Sequence, residues 1–85
     1  MQNITTFKKS IHFTKTEIIV LSEVMNGSNN NTIAKKLNIS PHTVKFHLQN
    51  LMNKTYTHTR TELCSKILFI ILGEPLTPEL IMQKF

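Results

Sequence analysis

The sequence contains little of what several classes of protein depend on. Its 85 residues include one cysteine, two glycines, no tryptophan and no aspartate. The single cysteine, Cys64, excludes an internal disulfide, so the expected compartment is a reducing cytoplasm. The longest apolar run, Ile67 to Leu72, has six residues, far fewer than the roughly 18 that a membrane-spanning helix needs. The N-terminal residues lack the apolar segment of a signal peptide, and no membrane association is expected.

The residue patterns of catalytic and metal sites are also missing. His42, His47, His58 and Cys64 do not follow a zinc-binding spacing. No serine–histidine–acid set and no pair of carboxylates is recognisable. A chain of this length is expected to form one small domain with little room for a substrate pocket. The sequence therefore predicts a protein that is not an enzyme and that holds no metal or cofactor.

The positive charge is concentrated in one part of the chain. Ten lysines and arginines against five glutamates give a formal net charge of +5. Six of these cations lie between Asn30 and Lys66, where Glu62 is the one acidic residue, so this segment alone carries +5. A local positive field favours a polyanionic partner, and nucleic acid is the first candidate. The alternative is a basic surface that serves only solubility.

Helix-boundary residues indicate two helices in the first half of the chain. Thr14 and Glu17 have the spacing of a capping box at the start of an apolar helix, which ends at Gly27. The polar residues 28–32 precede a short second helix. Asn38 follows it, and asparagine readily adopts the left-handed conformation that ends helices.

Two further helices are indicated in the second half. Ser40 and Pro41 suit the N-cap and first position of a third helix that runs to about Lys54. A fourth helix is expected from about Arg60 to about Leu72, and no strand-like alternation appears anywhere. The prediction is an all-α, four-helix domain at residues 13–73, between an N-terminal extension (1–12) and a C-terminal tail (74–85), each with a short helical turn.

The third helix has two contrasting faces. Its predicted buried stripe consists of Val44, Leu48, Leu51, Met52 and Thr55. The opposite stripe consists of His42, Lys45, Phe46, Gln49 and Asn53. Lysine pairs well with guanine, glutamine with adenine, and an exposed phenylalanine can contact a thymine methyl group. The alternative for Phe46 is that its ring turns partly into the core or packs on the tail.

From Phe13 to about Leu68, the sequence resembles the LuxR/GerE-type helix-turn-helix family. The matching positions are Thr14, Glu17, Val20, Leu21, Gly27, Asn30, Ile33, Ala34, Leu37, Ile39, Ser40, Thr43, Val44, Lys45, His47, Asn50, Lys54, Arg60, Glu62 and Leu63. The resemblance implies a four-helix DNA-binding domain, similar to a winged helix but without the wing. Its helix-turn-helix would span about residues 29–54, with the third helix, about 41–54, in the major groove.

The resemblance also implies roles for individual residues. The positions expected to read bases are Lys45, Phe46 and Gln49. Those expected near the phosphate backbone are Asn30, Thr43, His47, Asn50 and Lys54. His42, on the exposed stripe of the third helix, is expected there as well. This chain departs from the family at Thr55 and Tyr56, where a Leu-Gly pair is usual. We expect Tyr56 to fill the space of the missing leucine.

The fourth helix is apolar around most of its circumference, which favours self-association. A two-fold dimer is the commonest assembly. The resemblance also implies that this helix, at about residues 60–72, forms the dimer contact. The expected interface residues are Leu63, Ile67, Ile70 and Ile71. The alternative is that the terminal segments cover this helix. A dimer would place two third helices roughly 34 Å apart, on an inverted-repeat site.

These observations predict a cytoplasmic, nucleoid-associated transcriptional regulator that binds double-stranded DNA as a homodimer. Only 12 residues precede the motif, so no receiver or small-molecule-sensing domain is expected. The alternative is a protein-interaction module that pairs through its fourth helix with a larger LuxR-type regulator. RNA polymerase is a further candidate partner, and a sigma-factor-like region is a third, weaker interpretation.

Overall fold

The computed structural model describes residues 11–85, which contain five helices and no strand. The helices are α1 (Lys15–Met25), α2 (Asn30–Leu37), α3 (Pro41–Thr55), α4 (Arg60–Leu72) and α5 (Pro78–Met82). The all-α fold class is therefore confirmed. The predicted C-terminal turn is α5, whereas the N-terminal turn predicted over residues 1–12 lies almost entirely outside the described residues. No helix in the described part is long and apolar enough to cross a membrane.

Every described helix begins at a hydroxyl or amide side chain that accepts a backbone hydrogen bond. At α1, the Thr14 hydroxyl accepts from the Glu17 amide (3.1 Å), and the Glu17 carboxylate accepts from the Thr14 amide (2.9 Å). This reciprocal pair is the predicted capping box. The remaining N-caps are Asn29, Ser40, Thr59 and Thr77. The helix starts are thus determined by short polar side chains that satisfy otherwise unpaired amides.

The ends of α1 to α4 are followed by residues in the left-handed conformation: Gly27, Asn38, Tyr56 and Gly73. After α1, the Ser28 amide donates to the Glu23 carbonyl at 3.0 Å, and the Thr57 amide after α3 donates to the Met52 carbonyl at the same distance. These bonds satisfy carbonyls that the last helical turn leaves free. Gly27 and Asn38 confirm the predicted helix ends.

Tyr56 does not fill the core, so that expectation was wrong. Its side chain is 81% exposed and its backbone has φ 57°. Thr55 occupies the buried position instead, with no exposed surface, and its hydroxyl donates to the Leu51 carbonyl at 2.9 Å. The Tyr56 ring lies outside the core, 5.8 Å from the Lys66 ammonium group. A tyrosine therefore holds a backbone conformation that suits glycine.

Replacing Tyr56 by glycine is expected to stabilise the domain by about 0.5 to 1 kcal/mol. The left-handed conformation costs a residue with a Cβ roughly 1–2 kcal/mol, and the greater freedom of glycine in the unfolded chain offsets part of that gain. Urea unfolding of Tyr56→Gly and Tyr56→Ala measures the difference. Because alanine removes the ring but keeps the Cβ, equal stabilisation by both variants would contradict a backbone origin.

The core surrounds α3, which contacts α1, α2 and α4. Its buried residues are Val20, Leu21, Val24, Ile33, Ala34, Val44, Leu48, Leu51, Leu63 and Ile67. The predicted stripe of α3 is confirmed, with Met52 half-buried at its edge. Ala34 is 3% exposed, and its small side chain suits the close contact between α2 and α3. This packing leaves one side of α3 facing solvent.

Candidate nucleic-acid interface

The side chains predicted to contact bases lie on the solvent-facing side of α3. Lys45, Phe46 and Gln49 are all exposed, and Phe46 is 61% exposed. They face outward because the buried stripe recurs at the same helical spacing on the other side. The alternative that Phe46 turns into the core is therefore wrong. Its ring lies edge-on to the His47 ring, with centroids 5.9 Å apart.

This exposed face combines a cation, an amide and an apolar ring. The Gln49 side-chain amide donates to the Asn53 carboxamide oxygen at 3.1 Å, and within residues 11–85 the Gln49 oxygen and its second N–H make no other hydrogen bond. No carboxylate within residues 11–85 forms an ion pair with Lys45. Lysine and glutamine hydrogen-bond base edges, and an apolar ring contacts thymine methyl groups. The face therefore has the chemistry needed to read the major groove.

A second line of side chains runs beside this face. Thr43, His47, Asn50 and Lys54 are spaced by four, three and four residues, and all four are half-buried. The Thr43 and Ser40 hydroxyl oxygens lie 2.9 Å apart at the start of α3. The remaining α3 residue predicted near the backbone, His42, is exposed. Five of the six predicted backbone-contacting residues thus lie on α3, four of them in this line and His42 on the exposed face beside it.

The sixth residue, Asn30, lies at the start of α2 and is held by Arg60 from α4. One terminal nitrogen of the Arg60 guanidinium donates to the Asn30 side-chain oxygen at 2.8 Å, and the other donates to the Ser28 carbonyl at 2.5 Å. In the sequence, Arg60 stands out only as a cation, as the start of the predicted fourth helix and as a position that matches the resemblance. Its bonding partners lie 30 and 32 residues away, so no local pattern indicated this role.

Lys54 is bound within the domain by a nearly buried carboxylate. Its ammonium lies 2.6 Å from a Glu17 oxygen and donates to the His12 carbonyl at 2.8 Å. The side chain of Glu17 is 4% exposed and that of Lys54 is 34% exposed. The predicted contact of Lys54 with phosphate stays a prediction, and the structure adds an internal partner that competes for it. The pairing of Glu17 with Lys54, 37 residues apart, was missed by sequence reasoning.

The environment of Glu17 favours its ionised form. Burial raises the pKa of Glu17, but hydrogen bonds from Lys54 and from the Thr14 amide outweigh that effect, with further attraction from Lys54 and His47. The pKa of the Glu17 carboxyl group is therefore lowered from its ordinary value. Glu17 is thus a negative charge that holds the C-terminal part of α3 against the start of α1.

The six cations of the basic segment, which runs from Asn30 to Lys66, have different surroundings. Lys36 pairs with Glu23 at 3.0 Å, and Lys54 pairs with Glu17. Lys66 donates to the Thr55 carbonyl at 2.6 Å, which joins α4 to the end of α3. Lys35 and Lys45 are exposed and have no carboxylate partner within residues 11–85. The positive charge that this segment offers to an external partner is therefore smaller than the +5 counted from its sequence.

The four residues predicted to form a dimer interface lie in two different environments. Leu63 has no exposed surface and Ile67 is 7% exposed, so both belong to the core of this domain. Their assignment to a dimer contact was wrong, because α4 uses these side chains to pack against α3. Ile70 is 37% exposed and Ile71 is 71% exposed. Only these two of the four remain accessible to a partner.

Apolar surface continues beyond Ile67 to the C-terminus. No described residue after Ile67 is buried. The large exposed side chains are Phe69, Ile70, Ile71, Leu72, Leu76, Ile81, Met82 and Phe85. An open groove on this side is lined in part by Tyr56, Cys64, Leu68 and Leu76. The C-terminal tail therefore leaves the second half of α4 exposed. The other part of the alternative, cover by residues 1–12, lies almost entirely outside the described residues.

Two bacterial regulators are similar in sequence to this chain. The chain is 42% identical over 57 residues to the nitrate/nitrite response regulator protein NarP of Escherichia coli (strain K12), over 67% of this chain and 26% of that protein. It is 45% identical over 47 residues to the monoamine regulon transcriptional regulator of Klebsiella aerogenes, over 55% of this chain and 21% of that protein. The chain thus spans about a quarter or less of either relative. No solved structure matches it significantly.

The family pattern described as "Bacterial regulatory proteins, luxR family" matches residues 12–67. This range covers α1 to α3 and the first part of α4, and so includes the whole helix-turn-helix and its exposed face. The capping box, the left-handed turn at Asn38 and the buried stripe of α3 all fall within it. The chain therefore belongs to the luxR family of bacterial regulatory proteins.

Proposed function

We propose that this chain is a sequence-specific, double-stranded DNA-binding domain of a transcriptional regulator and inserts α3 into the major groove. The observation that carries this proposal is the exposed face of α3. Lys45, Phe46 and Gln49 lie on this face, while the opposite side of the same helix packs in the core. These three side chains read base edges, because they are long enough and chemically suited to do so. Membership of the luxR family supports the same conclusion.

The residues that flank this face position the domain on the duplex. Asn30, His42, Thr43, His47, Asn50 and Lys54 contact the phosphate backbone in this proposal. Hydroxyl, amide, imidazole and ammonium groups all donate to phosphate oxygens, and such contacts set orientation without reading sequence. Lys54 reaches phosphate only to the extent that its bond to Glu17 allows. The cations of the basic segment that have no carboxylate partner in the described part of the chain, such as Lys35 and Lys45, supply long-range attraction.

We further propose that the domain binds an inverted repeat as a homodimer through the outer side of α4. With Leu63 and Ile67 assigned to the core, the contact is made by Ile70 and Ile71, joined by exposed neighbours such as Phe69 and Leu72. A contiguous apolar surface of this kind is characteristic of an interaction site. A two-fold dimer would present two copies of α3 roughly one DNA turn apart.

Selection of duplexes from a random pool, with the mass of the bound complex measured, tests both parts of the proposal. We expect an enriched inverted repeat, a complex of two chains, and an affinity that falls steeply as salt rises. No affinity for duplex DNA would contradict the proposal. If the same chain instead bound a larger LuxR-type regulator tightly, the interaction-module alternative would replace it. The cytoplasmic, nucleoid-associated location and a contact with RNA polymerase stay predictions.

Replacing Lys45 by alanine is expected to weaken binding to the selected site by about 1–3 kcal/mol, the usual range for a lost base contact. Binding to unrelated duplexes should weaken much less, so the specificity ratio falls. Lys84→Ala is the matched control, because it removes one charge from an exposed position outside the family match. Equal effects of both substitutions on the specific site would show that Lys45 contributes only general charge.

A further inference from the structure

We propose that Arg60 is a positioning residue that orients the Asn30 side chain so that its NH2 group donates to a DNA phosphate. The proposal rests on the proposed DNA binding and assigns a function to a contact between α4 and α2. Arg60 is half-buried at the first position of α4, and Asn30 is half-buried at the first position of α2. The link between them therefore joins the helix-turn-helix to the helix that follows it.

Hydrogen-bond chemistry determines which end of the Asn30 amide faces Arg60. A guanidinium group only donates, whereas an asparagine side chain has one oxygen that accepts and one nitrogen that donates. The observed bond joins Arg60 to the Asn30 oxygen at 2.8 Å. The reversed amide would place two donors against each other, so Arg60 permits one orientation only. The NH2 group consequently points away from Arg60.

The NH2 group of Asn30 is left available for an external acceptor. Among residues 11–85, the hydrogen bond that its oxygen accepts from Arg60 is the only one the Asn30 side chain makes. A phosphate oxygen is an acceptor with no hydrogen to donate, so it matches this group and not the oxygen that Arg60 holds. Hydrogen bonds to charged acceptors are shorter and stronger than neutral ones. The amide is thus prepared for phosphate before DNA binds.

The second arm of the guanidinium makes this arrangement rigid. It donates to the Ser28 carbonyl, two residues before Asn30, so Arg60 holds both the backbone and the side chain at the start of α2. The Thr59 N-cap in turn fixes the start of α4. A lysine at position 60 would keep the charge but could not make both bonds with a planar fork. Geometry, more than charge, is therefore the contribution of Arg60.

Asn30→Asp is the first test, measured as affinity for the selected duplex and as thermal unfolding. Aspartate still accepts from Arg60, so the melting temperature should be unchanged or higher. Affinity should fall at least tenfold, since a donor becomes an anion facing phosphate. Asn26→Asp makes the same charge change at an exposed residue before α2 and should alter affinity less than about twofold. Equal losses in both variants would overturn the proposal.

A double-mutant cycle of Arg60→Lys and Asn30→Ala is the second test, because it isolates the coupling between the two residues. Arg60→Lys should weaken DNA binding several-fold in the wild-type background and less than about twofold when residue 30 is already alanine. Equal effects in both backgrounds would show that Arg60 acts independently and would overturn the proposal. If the unmodified chain does not bind duplex DNA, the proposed function itself has failed, which is a different result.

Discussion

Replacing Leu63 by alanine is expected to lower the free energy of unfolding by about 3 kcal/mol, a large part of the stability of a domain this small. Leu63 has no exposed surface and lies in the cluster that joins α4 to α3. The substitution removes apolar contacts and leaves a cavity that the surrounding helices fill only in part. Urea unfolding at a chain concentration that keeps the protein monomeric measures this loss.

Ile71→Ala is the matched control for this prediction. Ile71 lies on the same helix but is 71% exposed, so its truncation should change the unfolding free energy by less than about 0.5 kcal/mol. It should instead raise the concentration at which the chain self-associates, measured by sedimentation equilibrium. If Leu63→Ala dissociated a dimer and left the monomer as stable as before, the assignment of Leu63 to the core would be wrong.

Replacing Lys54 by methionine is expected to destabilise the domain by about 2–3 kcal/mol. The substitution keeps most of the side-chain volume but leaves the nearly buried Glu17 carboxylate without its cation, and an uncompensated buried charge is costly. It also removes the bond to the His12 carbonyl. Lys84→Met changes the net charge equally at an exposed position and should have little effect. Similar unfolding curves for both variants would contradict the prediction.

The Glu17–Lys54 pair also predicts how stability changes in acid. Because the pKa of the Glu17 carboxyl is lowered by folding, its contribution is complete above the ordinary value of 4.5 and is lost as pH falls through the lower value of the folded protein. In Lys54→Met this contribution should be smaller, since the main stabilising partner is absent. Unfolding free energies measured between about pH 3 and pH 7 should therefore converge for the two proteins at the acidic end.

Much of the fold was predictable because its signals are local. Thr14 and Glu17 stand three residues apart and bond to each other's amides. Asn38 adopts the left-handed conformation that its residue type tolerates. The two stripes of α3 follow from helical spacing alone, and the exposure of Lys45 and Phe46 confirms them. These features need only a few neighbouring residues, so a linear pattern contains them.

The predictions that were wrong concern which side chains pack into the core. That choice depends on contacts between helices, which helical spacing alone does not determine. The apolar residues of α4 form a band too wide for spacing to show which part packs inward. Packing against α3 selected Leu63 and Ile67 and left Ile71 outside. Tyr56 was expected to fill the space of a missing leucine, but the turn after α3 directs its ring into solvent while Thr55 points inward.

The sequence alone was sufficient to predict an all-α luxR-type domain and the face of α3 that we propose reads DNA. Caps, helix periodicity and the order of matching residues all act over short ranges. Tertiary structure decided which charges remain free and which polar groups are held in place. Glu17 binds Lys54 across 37 residues, and Arg60 orients Asn30 across 30. Such pairs form only when packed helices bring distant side chains within hydrogen-bonding distance, and that proximity has no signature in the linear order of residues.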